Sequence, residues 1–107
     1  MRNELILTDE QINHHLKEID NWTIKKGKLF KAFKFKDFAQ AFEFMSLVAI
    51  IAEMMDHHPE WSNVFNKVEI NLVTHSEGGI TMLDIDLAKK VDSQYLCLLY
   101  TSPSPRD

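Results

Sequence analysis

Residues 38 to 56 limit the possible folds of this 107-residue chain more than any other segment, because they contain no Gly or Pro and are apolar on two sides. Apolar side chains recur at steps of three and four, which predicts a helix. One stripe holds Phe38, Phe42, Met45, Ala49 and Ala52, and the other holds Phe44, Leu47, Val48, Ile51 and Met55. A helix that packs on a sheet needs one apolar face, so the second face favours a partner subunit. Asp37 is a good N-cap, and Pro59 predicts that the helix ends near Asp56 or His57.

The segment before this helix predicts a shorter helix and then a β-hairpin. Thr8 and Gln11 have the spacing of a capping box, so a first helix is expected to begin there. That helix is expected to end near Asp20. Residues 22–36 then predict two strands on either side of a turn at 26–28.

The second strand of this hairpin carries one irregularity. Phe33 and Phe35 share a face, and lysines occupy the opposite face, as expected of a strand with one side buried. Phe30 and Lys31 break this alternation. The break predicts a β-bulge or an early change of register at these two residues.

The second half of the chain predicts another hairpin and a last helix. A short strand is expected over 61–66 and a longer one over 67–75. The inward-facing residues of the longer strand are Val68, Ile70 and Leu72. A glycine turn at 78–79 separates it from a helix that begins at Thr81. The order αββαββα predicts an α+β fold, with a four-stranded antiparallel sheet and three helices packed on one face.

A chain of this length has room for one hydrophobic core, so we expect a single domain over residues 1–96. The segment 97–107 shows no apolar period that continues the helix and ends in a Ser/Pro-rich run. It is expected to be disordered or non-native. Cys97 is the one cysteine of the chain, which excludes an internal disulfide framework, and it has no evident base nearby that would make it a nucleophile.

Charge and composition argue against several classes of protein. Twelve Lys and Arg against sixteen Asp and Glu give a net charge of −4 with neutral His, and the pI is near 5.7. This balance argues against direct nucleic-acid binding through a basic face. We expect no apolar run to reach the roughly 18 residues that span a bilayer, and the N-terminus lacks a signal-peptide pattern. The expectation is a cytoplasmic protein, possible also in the nucleus, with no membrane partner.

The segment from Glu53 to Trp61 holds the richest set of reactive side chains. His57 and His58 are adjacent at the predicted end of a helix, where the partial negative charge of the terminus favours protonated imidazole. Glu53 lies four residues before His57 and is expected to hydrogen-bond to its ring and orient it. Pro59 fixes the exit of the chain, and Trp61 could form one wall of a pocket. The alternative is a solvated loop with a core tryptophan.

His75 is the third candidate imidazole, at the end of a strand and just before the glycine turn. Loops in this position often carry catalytic groups. A surface turn is the alternative at His75, and for Asp84 the alternative is the acid of a capping box that begins at Thr81. The pair His14 and His15 lies away from the apolar side of the first helix and is expected to be solvated.

These histidines do not predict a metal site. Three imidazoles are a plausible set of zinc ligands, but adjacent histidines in a short loop rarely converge on one ion. The His-Glu-x-x-His helix pattern is absent, as are phosphate-binding glycine loops and a Gly-x-Ser-x-Gly elbow. We therefore expect neither a metal nor a cofactor.

Six motifs occur in an order and spacing that is typical of one family. They are Phe35-Lys36-Asp37-Phe38, Phe42-Glu43-Phe44-Met45, Asp56-His57-His58-Pro59-Glu60-Trp61, Asn63-Val64-Phe65-Asn66-Lys67-Val68, Thr74-His75 and Asp84-Ile85-Asp86-Leu87-Ala88. Together they resemble the pterin-4a-carbinolamine dehydratases over about residues 5–92. The His-His-Pro-x-Trp box followed by Thr-His is more specific than any single motif above. The fold of that family is similar to the αββαββα order.

The resemblance implies an enzyme that dehydrates 4a-hydroxytetrahydrobiopterin to quinonoid dihydrobiopterin, in the recycling of tetrahydrobiopterin. It implies catalytic roles for His57, His58 and His75, since imidazole can act as an acid or a base near neutral pH. The residues expected to contact the pterin substrate are Glu53, Pro59, Trp61, Thr74, Ser76, Glu77 and Asp84.

The resemblance also implies a second class of function, which is protein binding. Animal members of the family serve as dimerisation cofactors of a homeodomain transcription factor, through helix surfaces and not through the pocket. Members form dimers and tetramers, so a homodimer or homotetramer is expected. The apolar coverage of residues 38–56 is compatible with self-association and with a transcription-factor partner.

Overall fold

The structure, a computed structural model, describes residues 5–100. The helices are α1 (Asp9–Leu16), α2 (Phe38–Met55) and α3 (Met82–Tyr100), and the strands are β1 (Thr23–Lys25), β2 (Lys28–Lys34), β3 (Glu60–Val64) and β4 (Lys67–Leu72). All neighbouring strands are antiparallel, in the order β1-β2-β4-β3. The order αββαββα confirms the predicted α+β fold.

Helix α1 begins as predicted but ends earlier. The Thr8 hydroxyl accepts a hydrogen bond from the Gln11 amide at 3.2 Å, and the Gln11 side chain accepts one from the Thr8 amide at 2.8 Å. The helix stops at Leu16, so the expected end near Asp20 is wrong. Tight turns with i→i−3 hydrogen bonds follow, and they keep Ile19 buried without continuing the helix.

The predicted β-bulge at Phe30 and Lys31 is wrong. Residues 29–34 pair without interruption with residues 67–72. The Lys31 side chain instead lies on the core face, where its ammonium group donates to the Asp92 carboxylate at 2.8 Å and to the Asp20 carbonyl at 2.9 Å. Because both partners satisfy the buried charge, the strand keeps its regular register.

Helix α2 packs one face on the core and exposes the other. Asp37 caps it by accepting a hydrogen bond from the Gln40 amide at 2.8 Å. Its buried residues are Ala41, Phe44, Val48 and Ala52, and its exposed large apolar residues include Phe38, Phe42, Ile50 and Met54. By length and composition α2 could cross a membrane, with a mean hydropathy of 1.5, so the expectation that no segment reaches that length is wrong. Helices that form the core of soluble proteins meet the same criterion, so this is weak evidence for a span.

Helix α3 extends further than the sequence pattern predicts. It continues through residues 97–100, so the expectation that these four residues lack helical order is wrong. Leu98 packs against the core, and its carbonyl accepts a hydrogen bond from the Gln40 side chain at 3.5 Å. Residues 101–107 lie outside the described residues, and the domain boundary at residue 96 stays a prediction.

Candidate active site

The end of α2 and the segment after β4 meet at a cleft of about 390 Å³. Its lining residues are Asp56, His57, His58, Val73, Thr74, His75 and Ser76. The three imidazoles that the sequence singled out therefore lie around one cavity, although they come from two separate parts of the chain.

The C-terminus of α2 gives the two adjacent histidines opposite environments. Asp56 adopts the left-handed conformation with φ of 51°, and the His57 amide donates back to the Ala52 carbonyl at 3.0 Å. This reversal ends the helix where Pro59 predicts it. The His57 ring is buried as a result, whereas His58 stays exposed.

His57 pairs with a buried carboxylate. Its Nε2 lies 2.6 Å from Oδ1 of Asp84, a residue with no exposed surface. The other oxygen, Oδ2, accepts from the Thr74 hydroxyl at 2.8 Å and from the Thr81 amide at 2.9 Å. Asp84 is therefore both the acid of the α3 capping box and the partner of an imidazole. Because a carboxylate accepts hydrogen bonds, this contact favours the tautomer of His57 with its proton on Nε2.

The predicted contact between Glu53 and His57 is wrong. Glu53 instead lies 2.7 Å from Nε2 of His58, with both side chains exposed. The i,i+4 rule holds only while the helix continues, and the left-handed turn at Asp56 removes His57 from the face that Glu53 occupies.

His75 follows β4 in a glycine turn. The strand ends at Leu72, earlier than the predicted 67–75, and Thr74 forms an isolated bridge with Gly79 across the turn. The His75 side chain is 68% exposed, and its Nε2 lies 2.6 Å from Oε2 of Glu60. No local spacing in the sequence links Glu60 to His75, so this contact could not be predicted.

Glu60 has a second partner in β2, which lies on the other side of β4. Its Oε1 accepts a hydrogen bond from the Lys28 ammonium group at 2.6 Å. That hydrogen bond is the main cause that holds the pKa of Glu60 below its ordinary value, and the charge of Lys28 and the contact with His75 act in the same direction. The carboxylate therefore stays ionised beside the imidazole at neutral pH.

The remaining predicted contact residues divide into two groups. Thr74 and Ser76 line the cleft, whereas Pro59, Trp61 and Glu77 are not among its lining residues. Trp61 lies opposite Ile70 in the β3–β4 pair and packs against the core, which is the alternative left open for it. Substrate contacts stay predictions for all seven residues that the sequence assigned to the pterin.

The site has the components of acid–base chemistry. Each imidazole has its Nε2 next to one carboxylate oxygen, at distances of 2.6, 2.7 and 2.6 Å for His57, His58 and His75. Among residues 5–100, no three or more His, Cys, Asp or Glu side chains are grouped to hold a metal ion. Such imidazoles can donate a proton to one atom of a bound molecule and accept a proton from another.

Comparisons with known proteins point to one family. The family model for pterin 4 alpha carbinolamine dehydratase matches residues 6–94. A relative from Brucella ovis, provisionally described as a pterin-4-alpha-carbinolamine dehydratase, is 46% identical over 89 residues, which are 81% of this chain and 92% of the relative.

Two solved structures are also similar. A transcriptional coactivator/pterin dehydratase from Brucella melitensis has 44% identity and a TM-score of 0.82, over 85% of this chain and 99% of that one. A pterin dehydratase-like protein described as a RuBisCO assembly factor in the alpha-carboxysome has 27% identity and a TM-score of 0.58. The match covers 69% of this chain and 86% of that one. With a family model that spans most of its residues, this chain belongs to the pterin 4 alpha carbinolamine dehydratase family.

Proposed function

We propose that this protein dehydrates 4a-hydroxytetrahydrobiopterin to quinonoid dihydrobiopterin, as a step in tetrahydrobiopterin recycling. The C4a–O bond breaks with its electron pair on oxygen, which leaves as water after it takes a proton from an imidazolium. The N5 proton passes to a second imidazole as the C4a=N5 double bond forms. One water molecule is lost, and no oxidation occurs.

The observation that supports this proposal is the placement of His57 and His75 on one cleft. The two rings come from the end of α2 and from the turn after β4, so they can act on different atoms of a bicyclic substrate. His58 would hold the pterin beside them. General acid–base assistance contributes about 10²–10⁴-fold per group, which is enough to outpace spontaneous loss of water.

The direct test is a rate measurement on the purified chain. 4a-Hydroxytetrahydrobiopterin is generated in situ, and formation of the quinonoid product is followed by absorbance with and without protein. The proposal expects a rate that rises in proportion to protein concentration. A rate equal to the spontaneous one at every protein concentration would contradict it.

A second candidate function is protein binding, as a dimerisation cofactor of a homeodomain transcription factor. Two observations favour it: one similar structure carries the description of a transcriptional coactivator, and α2 exposes a set of large apolar side chains. This role would use α2 and not the cleft. Coactivation should therefore survive loss of His75, and loss of both activities together would contradict a separate surface.

The proposal includes self-association of this chain. An apolar face on α2 is compatible with a homodimer or homotetramer, and the mass measured by light scattering during size-exclusion chromatography would distinguish these from a monomer.

The proposed location is the cytoplasm, with the nucleus as a second site if the protein-binding role holds.

A further inference from the structure

Glu60 is a carboxylate next to a cleft imidazole that the sequence motifs did not assign to the site. It is the first residue of β3, and its two oxygens have different partners. Oε1 accepts from Lys28 of β2 at 2.6 Å, and Oε2 lies 2.6 Å from Nε2 of His75. The Lys28–Glu60–His75 chain thus links the sheet to a ring that lines the cleft.

We propose that Glu60 is a positioning residue for His75: anchored by Lys28, it holds the Nε2 side of the ring and leaves Nδ1 as the nitrogen that faces chemistry in the cleft. This inference rests on the proposed function for its effect on turnover. Its structural part, the choice of ring nitrogen, rests on the 2.6 Å distance between Nε2 of His75 and Oε2 of Glu60.

The exposure of His75 explains why such a partner matters. With 68% of the side chain exposed, packing does little to fix the ring, so both tautomers and several rotamers would otherwise be populated. A carboxylate only accepts hydrogen bonds, so it selects the tautomer with the proton on Nε2. Lys28 and His75 are the charged and titratable groups that face Glu60 among the described residues, and Lys28 keeps the carboxylate ionised.

The chain offers a matched control away from the cleft. Glu18 also lies between a lysine and a histidine, at 3.0 Å from Lys89 and 3.3 Å from Nδ1 of His15. The hydrogen bond from Lys89 is the main cause that lowers the pKa of Glu18. Glu18→Gln therefore makes the same chemical change without touching a residue that lines the cleft.

The kinetic experiment uses Glu60→Gln, His75→Ala and the double variant. We expect Glu60→Gln to lower kcat about tenfold with KM nearly unchanged, because a residue that orients a catalytic group contributes less than that group itself. Glu18→Gln should keep the wild-type kcat. In the His75→Ala background, Glu60→Gln should have no further effect, since its partner is gone. Wild-type kcat in Glu60→Gln, or an equal loss of kcat in both backgrounds, would overturn the proposal.

A second readout does not depend on activity. Nitrogen-15 NMR of the full chain reports which nitrogen of His75 carries the proton. In the wild type we expect Nε2–H at neutral pH. In Glu60→Gln the Lys28 ammonium group takes the amide oxygen, so the amide NH₂ faces His75 and favours the proton on Nδ1. An unchanged tautomer in Glu60→Gln would overturn the proposal even if the wild type is active. If Glu60→Gln moves the proton to Nδ1 but the wild-type chain has no dehydratase activity, the result would support Glu60 as the residue that positions His75. It would contradict only the proposed reaction.

Discussion

The carboxylate of Asp84 lies 2.6 Å from Nε2 of His57, and neither group has more than a small exposed fraction. The same carboxylate caps α3 through the Thr81 amide and accepts from the Thr74 hydroxyl. The ring that we propose as a proton carrier is therefore fixed by a residue in the first turn of the last helix. The position of the His57 ring and the stability of α3 therefore depend on one side chain.

Replacing Asp84 by Asn should lower both activity and stability. The amide oxygen can still accept from Thr74 and Thr81, but the NH₂ group then faces Nε2 of His57, so the charge-assisted contact is lost and the ring proton is moved to Nδ1. We expect the free energy of unfolding to fall by about 1–3 kcal/mol and kcat to fall about tenfold or more. Urea unfolding and the dehydration assay measure these two effects. Asp86→Asn, on the exposed side of the same helix, is the control, and an equal effect of both changes would contradict the assignment.

The ion pair between Lys31 of β2 and Asp92 of α3 leads to a prediction about stability alone. Lys31→Met leaves the Asp92 carboxylate without its cation, although the Trp22 indole N–H still donates to it at 3.0–3.1 Å. We expect a loss of about 1–3 kcal/mol in the free energy of unfolding. Lys34→Met changes an exposed lysine of the same strand and should have little effect. Equal stabilities of the two variants would show that the Lys31 contacts contribute nothing.

The first hairpin turn offers a stabilising change. Lys26 and Gly27 both have positive φ, 53° and 78°, and a two-residue turn of this kind favours Asn-Gly. Lys26→Asn should raise the free energy of unfolding by about 0.5–1 kcal/mol, because Asn tolerates the left-handed region better than Lys. Lys25→Asn, at the last residue of β1, should lower it since Asn is unfavourable in strands. A destabilised Lys26→Asn variant would contradict this account of the turn.

The contact between Lys28 and Glu60 makes stability depend on pH in a definite direction. The folded-state pKa of Glu60 lies below the ordinary 4.5, so the contact stabilises the fold above about pH 4.5 and ceases to do so as pH falls through the lower folded-state value. Lys28→Met should therefore be less stable than the wild type by a margin that is larger at pH 7 than at pH 3. Chemical unfolding at both pH values measures this, and a margin independent of pH would exclude the contact as its source.

The sequence predicted α2 well because its signals are local. The apolar spacing, the Asp37 cap and Pro59 all act within a few residues, and the helix has the expected bounds. The prediction of a β-bulge at Phe30 and Lys31 was wrong because the deciding contact is not local. The hydrophobic pattern predicts that Lys31 faces solvent. The pattern cannot show that Asp92, far along the chain, lies close enough to accept a hydrogen bond from a buried ammonium group.

The candidate site shows the same division. The motifs singled out His57, His58 and His75, and the structure brings all three to one cleft. Their carboxylate partners were harder to predict. The i,i+4 rule assigned Glu53 to His57, but one left-handed residue moved that contact to His58. Glu60 had no local signal, since its contact with His75 depends on how two strands and a turn meet.

The most direct test compares His57→Ala and His75→Ala with the wild type in the dehydration of 4a-hydroxytetrahydrobiopterin. His14→Ala, on the exposed side of α1, is the control, and circular dichroism checks that each variant is folded. We predict that each cleft variant loses about 10²–10⁴-fold in kcat, while His14→Ala keeps the wild-type rate. Wild-type rates in both folded cleft variants would contradict catalysis by these imidazoles.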